Sequence, residues 1–550
     1  MTLSLSNPNP SINIVDIIPQ SDSAEFGQNS EPSLAIDPLD PNNIIAGAFT
    51  PTSTAYFLSM DGGATWSDFG TLSNRDKSIA WTADGSAALT ATLRTKSSIS
   101  LYSGTTSSGN FGSPIFTYNG FQKTHNLDQP WIRTGPSDHV YIAYNDLGVT
   151  NGETASVLVS TDNGSTFTPV TLDRIGSPPS VGQDAPSVRL AVFDGNTVHA
   201  NTVYAAFTRW TSFTGTDSAG NDYFSADVVV VRSDNGGTDG FTALGTNGSD
   251  NGVSVNASPI TSVFSNSNNS DITLGQERTG GDLDIAVDPN NFQHVVVAYG
   301  SAGPIGSGQL QLVVAESTDG GASWTTKFTT DASTRSALPA LAISDNGTIG
   351  LLYCNYDPST NDLSQHLLTT TNDFAPGSVS DSTLATETNA SPAIKYNPYI
   401  GDFFDLTSVG NTFEGTFCAS NADNGTSALF SNVSFQRDFT GTPGTSSFTL
   451  TDKNGHAVSP SIDPFFFSFT PNADNPVVST VSSPFTASDL GGLTGTSNPS
   501  AATGMASTHL LVQAMASFCS QCGITETHTG NLADSLQSQD FLAAGSQVHH

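Results

Sequence analysis

Basic residues are scarce in this chain: its 550 residues include 16 lysines and arginines against 50 aspartates and glutamates, a formal net charge of −34. Proteins bind nucleic acid or anionic membranes through clustered basic side chains that neutralise phosphates. The sequence has no such cluster, so neither partner is expected. Cations or neutral glycans suit the composition better, and an anionic ligand would need a few focused arginines.

Cysteines and long apolar runs are also few. Four cysteines do not make a disulfide scaffold, and Cys354 and Cys418, within hydrophobic β-patterns, are predicted to be buried. Cys519 and Cys522 form a C-x-x-C without a second pair or a nearby histidine pair, which favours a local disulfide or free thiols over zinc. No stretch approaches the ~18 apolar residues of a membrane span, so no span is expected.

The first eighteen residues, 1–18, show no basic region followed by a long apolar core, so they do not resemble a general secretory signal. Low lysine and cysteine, high acidity and abundant Asn, Thr, Gly and Ser are typical of bacterial extracellular proteins exported by a leaderless route. We therefore expect a secreted protein. A removed signal and a cytoplasmic location are the alternatives.

One octapeptide pattern, S-x-D-x-G-x-[ST]-[WF], occurs three times, at residues 59–66, 160–167 and 317–324. A short β-run precedes each copy. Such a segment predicts a tight turn in which the aspartate accepts hydrogen bonds from neighbouring backbone N–H groups and glycine supplies a positive φ. The terminal aromatic residue is expected to anchor the turn against the sheet.

The pattern resembles the Asp box, or BNR repeat, of sialidase-like β-propellers, and the resemblance covers about residues 31–440. It implies an all-β propeller in which the boxes are structural turns remote from the active site. Aligning the innermost strands favours seven blades, and six are the alternative because sialidase propellers have six. The blade starts lie at or near Glu31, Ser78, Asp128, Asp184, Asp282, Leu338 and Tyr399.

The propeller is assigned to residues 1–450, with 245–270 as a polar surface insertion. The N-terminal run 12–18 is well placed to supply the outer strand of the last blade, which would remove exposed strand edges. Residues 451–550 form a predicted extension that is loop-rich at first and then carries two candidate helices, 506–518 and 531–544. This extension is either a cap on the propeller or an export segment.

Carboxylates recur at or just before the innermost strands, whose starts face one end of the central channel. If they converge, they form a cation site or an acid/base pair; the alternative is that each caps a turn. Calcium fits because it prefers oxygen ligands and tolerates irregular shells, and the candidate ligands are Asp184, Asp282 and Asp284. The recurring residues are Glu31, Asp76, Asp128, Asp184, Asp282, Asp284 and Asp402.

Second strands return to the same end of the channel and present further candidates. Arg209, Trp210 and Tyr356 are the candidate substrate-binding residues there, because an aromatic ring can stack on a sugar; packing is the alternative. Arg133 and Arg189 lie in inner strands, where each is a candidate for binding a substrate acid group or for a structural salt bridge.

For sialidases proper, the resemblance implies three arginines on the substrate carboxylate, a tyrosine nucleophile paired with a glutamate, and an aspartate acid/base. Their first arginine belongs to an Arg-Ile-Pro type motif before the first box. Here the first arginine is Arg75, which follows that box, so sialidase activity is not favoured. Tyr399, beside Asp402, is the candidate nucleophile.

A different glycosidase needs two carboxylates about 5 Å apart for retention or about 6.5–9.5 Å apart for inversion. Glu31, Asp128 and Asp402 are the candidates for this pair. The sequence contains no G-x-S-x-G elbow and no H-E-x-x-H pair. It therefore does not indicate a serine hydrolase or a zinc protease.

A lyase acting on acidic polysaccharide would instead use His125 or Tyr144 as a base near Arg133. Taken together, the sequence predicts a secreted, carbohydrate-engaging β-propeller that is a candidate glycoside hydrolase acting through channel-face carboxylates. The alternatives are a non-catalytic glycan-binding or adhesive surface protein with calcium-stabilised loops, and a polysaccharide lyase.

Overall fold

A computed structural model describes residues 12–27, 29–50, 52–73, 76–120, 126–149, 152–176, 188–195, 199–245, 252–264, 282–375, 377–388, 400–421, 433–443 and 445–471. Apart from a 3-10 helix at Gln20–Asp22, all regular elements in these ranges are strands. Many are buried along their whole length, which is why they read as continuous apolar runs rather than as alternating patterns.

The strands are β1 (Asn13–Asp16), β2 (Ser30–Ile36), β3 (Ile44–Phe49), β4 (Thr54–Ser59), β5 (Ser67–Leu72), β6 (Lys77–Trp81), β7 (Ala88–Thr95), β8 (Ser98–Gly104), β9 (Phe111–Tyr118), β10 (Leu127–Gly135), β11 (His139–Asp146), β12 (Ala155–Ser160), β13 (Thr168–Thr171), β14 (Val188–Val192), β15 (Val203–Thr216) and β16 (Asp222–Ser233). The remainder are β17 (Val253–Ser254), β18 (Ile260–Phe264), β19 (Leu283–Asp288), β20 (Asn291–Ala302), β21 (Leu310–Ser317), β22 (Thr325–Thr329), β23 (Arg335–Ile343), β24 (Ile349–Asp357), β25 (Asp362–Thr370), β26 (Val379–Thr388), β27 (Asp405–Val409), β28 (Thr412–Ser420), β29 (Val433–Ser434), β30 (Phe439–Thr440), β31 (Thr449–Leu450) and β32 (Ile462–Phe469).

Strands that follow one another in the chain mostly pair antiparallel within one sheet. The sheets are β2 to β5, β6 to β9, β10 to β13, β14 to β18, β19 to β26, a sheet in the order β27, β28, β32, β1, β29, and the hairpin β30–β31. The inner strands β2, β6, β10, β14, β19, β23 and β27 contact one another in this order, and β27 returns to β2. The described chain is therefore an all-β propeller, a ring of sheets closed around an axis.

Hydrogen bonding does not divide this ring into the seven separate blades that the sequence favours, nor into six equal ones. Strands β19 to β26 form a single eight-stranded sheet, because β21 and β23 pair in parallel at Leu310 and Arg335. The sheet β14 to β18 carries a fifth strand. Part of the segment 245–270, expected to be a surface insertion, supplies it, since β17 and β18 both pair with β16.

The two ends of the described chain meet in the last sheet. Strand β1 pairs antiparallel with β32, which in turn pairs with β28, so the N-terminal run closes the ring as expected. Strand β32 lies beyond residue 450 and extends the propeller past the expected boundary. Cys354 and Cys418 are both buried, as expected. The candidate helices 506–518 and 531–544, with Cys519 and Cys522, lie outside the described residues.

The three octapeptide copies form the same hydrogen-bonded turn. In the first copy, the Ser59 hydroxyl donates to Asp61 Oδ1 and accepts from Gly63 N–H, and both the N–H and the hydroxyl of Thr65 donate to the Asp61 carboxylate. The Trp66 indole N–H closes the turn on the Gly63 carbonyl at 3.0 Å. The copies at 160–167 and 317–324 repeat the serine and aspartate bonds.

Two further turns share part of this geometry without the full pattern. Ser233 accepts from Gly237 N–H at 2.8 Å, and Asn235 stands at the position of the aspartate. Thr370 likewise accepts from Phe374 N–H. Sequence reasoning missed this second turn because no glycine or aspartate marks the expected positions.

Strands β2, β10 and β23 each carry a β-bulge near their start, where a residue before proline has a positive φ: Glu31 at 51°, Gln129 at 44° and Leu338 at 57°. This conformation is sterically disfavoured for residues with a Cβ and costs about 1–3 kcal/mol. Such strain persists only where the surrounding structure enforces it.

Each bulge is tied to the preceding inner strand by a side chain. Three residues after the bulged residue, Ile132 N–H donates to Ser78 Oγ at 2.7 Å. In the same way Leu341 N–H donates to Asp284 Oδ2 at 2.7 Å, and Leu34 N–H donates to Asp405 Oδ2 at 3.0 Å. These three bridging hydrogen bonds connect neighbouring inner strands at the axis.

Replacing Ser78 with alanine is expected to lower the free energy of unfolding by about 1–3 kcal/mol, because the buried Ile132 N–H loses its acceptor. Urea denaturation measures the loss. The control is Ser107→Ala in an exposed turn, for which a change within about 0.5 kcal/mol is expected. Equal effects of the two changes would contradict a bridging role for Ser78.

Candidate ligand-binding site at the front face

The inner strands begin at one end of the ring, which we call the front face. Its buried carboxylates are Glu31, Asp128, Asp282, Asp284 and Asp405, and Asp402 is half-buried. Three of the chain's few cations, Lys77, Arg133 and Arg189, lie among them. The predicted ring of carboxylates is therefore accompanied by positive charge. Asp184 and Tyr399, predicted as a metal ligand and a nucleophile, lie outside the described residues.

Trp131 lies between two arginines at the start of β10. The guanidinium carbon of Arg189 lies 4.1 Å from the ring centroid, and that of Arg133 lies 4.8 Å from it. Their ion pairs are long: Arg189 Nη2 lies 3.5 Å from Asp282 Oδ1, and Arg133 Nη2 lies 3.5 Å from Asp405 Oδ1. The Arg133 side chain is 25 % exposed, whereas that of Arg189 is 2 % exposed. Arg133 is thus the cation that solvent can reach.

Lys77 is a buried member of the site that sequence reasoning missed. Its Nζ donates to the Glu31 carbonyl oxygen and lies 5.1 Å from the Phe49 ring centroid and 5.5 Å from that of Phe403. Burial lowers the pKa of Lys77 to about 8, against the opposing effect of the Glu31 charge. A single lysine in a short strand carries no sequence signal that it will face the axis.

Burial also acts on Asp284 and Asp405, the carboxylates that connect neighbouring inner strands. It raises the pKa of Asp284 to about 6, although the Arg133 charge, the Leu341 N–H and the Arg189 charge oppose it. Burial likewise raises the pKa of Asp405, against Arg133 and the Leu34 N–H. Both groups therefore hold a proton more readily than exposed aspartates, although one oxygen of each is occupied by a backbone N–H.

Several buried polar atoms near the axis make no hydrogen bond to the described part of the chain. They are Ser33 Oγ, Gln129 Oε1, Trp131 Nε1, both terminal nitrogens of Arg189, and Asp284 Oδ1. Buried polar groups are paired in most proteins, with protein or with bound molecules, because an unpaired group costs about 1–3 kcal/mol. The set contains both donors and acceptors on the inner strands β2, β10, β14 and β19. Such a mixture suits a polar molecule rich in hydroxyl groups.

Two predicted substrate-binding residues have structural roles instead. Arg209 makes a buried ion pair with Asp173, with its Nη2 2.6 Å and its Nε 3.0 Å from Asp173 Oδ1. Trp210 is buried and stacks on Phe224 with centroids 4.0 Å apart, and its indole N–H donates to Ser262 Oγ. Neither side chain presents a free surface to a ligand.

Tyr356 is half-buried at the end of β24, and the guanidinium carbon of Arg335 lies 5.5 Å from its ring centroid. Its hydroxyl donates to Asn361 at 2.8 Å. Tyr144, a candidate lyase base, belongs to the core with Leu101 and Ile142, where burial raises its pKa well above the usual value. Arg133 in β10 pairs with Tyr141. Side chains alternate along a strand, so Arg133 and Tyr144 lie on opposite faces of the sheet. His125 lies outside the described residues.

One group of three metal-type ligands occurs among the described residues: His294, Glu316 and Asp373 have ligand atoms within 4.8 Å of one another. Both imidazole nitrogens already contact carboxylates, at 3.0 Å to Asp288 and 2.8 Å to Glu316. The Glu316 hydrogen bond raises the pKa of His294 to about 9, so a protonated histidine accounts for this network. Asp282 and Asp284 belong to no such group in the described ranges, and calcium at these residues stays a prediction.

Within the described ranges, no helix has the length and apolar character needed to cross a membrane. No protein-family model matches the sequence, and no curated protein matches it.

The chain is similar to several solved structures. An ulvan lyase of a new polysaccharide lyase family has 10 % identity and a TM-score of 0.44, over 72 % of this chain and 92 % of that one. An α-L-arabinanase from Penicillium chrysogenum has 14 % identity and a TM-score of 0.36, over 68 % and 97 %. An α-L-arabinofuranosidase from Fusarium graminearum has 10 % identity and a TM-score of 0.38, over 75 % and 94 %. At these scores the similarities carry no argument about the site.

Proposed function

We propose that this protein engages carbohydrate at the front face of the propeller and that it is a glycoside hydrolase. The observation that carries the proposal is the set of buried donors and acceptors around Trp131 and Arg189 that make no hydrogen bond to the described residues. Ligand sites combine apolar and aromatic walls with a few polar groups that fix orientation. Sugar hydroxyls donate and accept at once, so they match a mixed set better than a purely cationic or purely acidic ligand would.

Hydrolysis would use the front-face carboxylates Glu31, Asp128 and Asp402. Glu31 lies at the strained bulge of β2, and its N–H donates to the Ile400 carbonyl at 3.4 Å. Asp402 is half-buried and is the most accessible of the three. Strained backbone and buried carboxylates together are common at catalytic sites. One of the three would protonate the leaving oxygen while another acts as base or nucleophile.

Three broader assignments belong to the same proposal. The octapeptide turns are Asp boxes of the sialidase-like type. The protein is secreted. Calcium bound near Asp282 and Asp284 would support the alternative of an adhesive surface protein, and in that case a chelator would lower the melting temperature.

The test is turnover and binding of defined polysaccharides, with arabinan, β-glucan and polygalacturonate as probes. Release of reducing ends is expected from wild type, and Glu31→Gln, Asp128→Asn and Asp402→Asn are expected to lower the rate about 100-fold or more because each removes a candidate acid, base or nucleophile. Asp84→Asn, an exposed change in the turn between β6 and β7 at the opposite end of the ring, is the control. Binding without turnover would favour a non-catalytic glycan-binding protein, and no binding to any glycan would contradict the proposal.

A lyase remains the second candidate because Arg133 and Arg189 could neutralise the acid group of a uronate. Tyr144 does not serve as the base, because it is buried in the core. A lyase product carries an unsaturated sugar, so its ultraviolet absorbance during polygalacturonate cleavage distinguishes the two reactions.

A further inference from the structure

We propose that Arg437 and the carboxylates Asp16, Glu25 and Asp463 hold the two ends of the propeller together, and that protonation of Asp16 and Glu25 strengthens the closure. We call these four residues the closure cluster. The cluster lies at the junction of β1, β32 and the segments before β2 and after β29. No residue of the front face belongs to it.

Arg437 connects three separate parts of the chain. Its Nη2 contacts Asp16 Oδ2 in β1 at 2.7 Å and also contacts Asp463 Oδ2 in β32. Its Nη1 donates to the Glu25 carbonyl at 3.2 Å. The side chains of Arg437, Asp16 and Asp463 are all fully buried. One guanidinium thus links both strands that close the ring.

Neighbouring hydrogen bonds hold the carboxylates in place. Asp16 Oδ1 accepts from Ile18 N–H at 3.0 Å, and Asp463 accepts from Asn421 Nδ2 at 2.6 Å and from Ser461 Oγ at 2.9 Å. The adjacent Gln436 donates from Nε2 to the Asp16 carbonyl. The cluster is therefore built into the sheet rather than resting on its surface.

The same residue also ties the cluster to the first octapeptide turn. Gln436 Oε1 accepts from Trp66 N–H at 2.5 Å. Trp66 packs on Phe466 of β32, with ring centroids 5.5 Å apart. Loosening the cluster should therefore also loosen the contact between the first and last sheets.

Three carboxylates face one cation, so the cluster is short of positive charge. The other charged groups close by are Asp22 in the 3-10 helix, with Asp68 beside it, Asp438 after Arg437, which accepts from Gln20, and Lys453, whose backbone N–H donates to Ser23 Oγ. Lys453 is the one cation among these groups, and it is exposed. Arg437 Nε also lacks a hydrogen bond to described residues, so the cluster is not fully paired.

The charges give the closure a pH dependence of definite sign. Burial raises the pKa of Asp16 to about 7, with Arg437 opposing it, and burial together with the Asp463 charge raises the pKa of Glu25 to about 8. A carboxyl group whose folded pKa is raised contributes stability below its unfolded pKa, and this contribution is lost as pH rises through the folded pKa. The closure should weaken between about pH 4 and pH 8.

The test compares the pH dependence of unfolding in wild type and in variants of the full chain. For wild type, the unfolding equilibrium constant should rise at least about tenfold between pH 5 and pH 8. Because a chain of net charge −34 is destabilised by general repulsion as pH rises, only the difference between variants is informative. Glu25→Gln and Asp16→Asn keep a hydrogen-bonding side chain and should flatten the slope. Asp331→Asn should leave it unchanged.

Hydrogen exchange locates the effect. After correction for intrinsic rates, amides of β1 and β32 in wild type should exchange about tenfold faster at pH 8 than at pH 5, while amides of β20 should not. The Glu25→Gln variant should lose this difference. Equal pH slopes in wild type, Glu25→Gln and Asp16→Asn, or uniform acceleration across all strands, would overturn the proposal. The experiment leaves Arg437 in place, because a variant without this buried cation is expected to fold poorly.

Discussion

Replacing Gly63 with alanine is expected to lower the free energy of unfolding by about 2–5 kcal/mol. Gly63 has a φ of +84°, which costs an L-residue about 1–2 kcal/mol. A Cβ built there would also lie 2.6 Å from two carbons of the Phe466 ring. Phe466 is fully buried in β32, so it cannot move aside, and overpacking adds about 1–3 kcal/mol.

The adjacent glycine supplies a matched control. Gly62 has a φ of +71°, but a Cβ there would meet only Asn42 Oδ1, at 3.8 Å. Gly62→Ala therefore carries the backbone cost alone, about 1–2 kcal/mol. Chemical denaturation of both variants separates the two contributions. If Gly62→Ala costs as much as Gly63→Ala, the turn does not pack on Phe466 as described.

The second large effect is expected at Arg209. Arg209→Met should lower the free energy of unfolding by about 3–5 kcal/mol, because it leaves the fully buried Asp173 side chain without its partner. Burial alone would raise the pKa of Asp173, but the Arg209 hydrogen bond and charge hold it below its usual value. The stability that a lowered pKa contributes is present above the unfolded pKa of about 4 and is lost as pH falls through the folded value. The penalty of Arg209→Met should therefore shrink in acid.

Arg133→Gln is the informative comparison for Arg209→Met. Arg133 is partly exposed and its ion pair is 3.5 Å long, so its removal should cost about 1 kcal/mol or less while weakening ligand binding. Arg209→Met should do the reverse, lowering stability and leaving the affinity of the folded protein for glycan unchanged. Loss of affinity without loss of stability in Arg209→Met would restore the substrate-binding role predicted from the sequence.

The contrast between these two arginines shows where sequence reasoning stops. Both follow an apolar β-run in the sequence, and both were placed at the same end of the channel. Their separate roles depend on Asp173 and Asp405, which come from other parts of the chain and are brought close only by the ring. Trp210 fails as a predicted sugar platform for the same reason, because its partners Phe224 and Ser262 lie in β16 and β18.

Features that depend on residues close together in the sequence were predicted more successfully. The octapeptide turns were predictable because serine, aspartate and glycine within eight residues make all of the turn's own hydrogen bonds. Pairing by the N-terminal strand was also predictable, since Ile14 and Val15 form an apolar run with no partner nearby in sequence. Its actual neighbour β32 was assigned to the extension, because Phe465, Phe466 and Phe467 read as an aromatic cluster in a loop-rich region.

By itself, the sequence determined that this protein is all-β, that its strands repeat with tight turns between them, and that carboxylates gather at the starts of the inner strands. These properties depend on composition and on contacts between residues close in the chain. Only the tertiary structure decided that Lys77, Arg133 and Arg189 accompany those carboxylates, that Asp284 and Asp405 connect neighbouring inner strands, and that Arg437 joins the two ends. Each of these depends on closing the ring, which brings together charges that no local pattern relates.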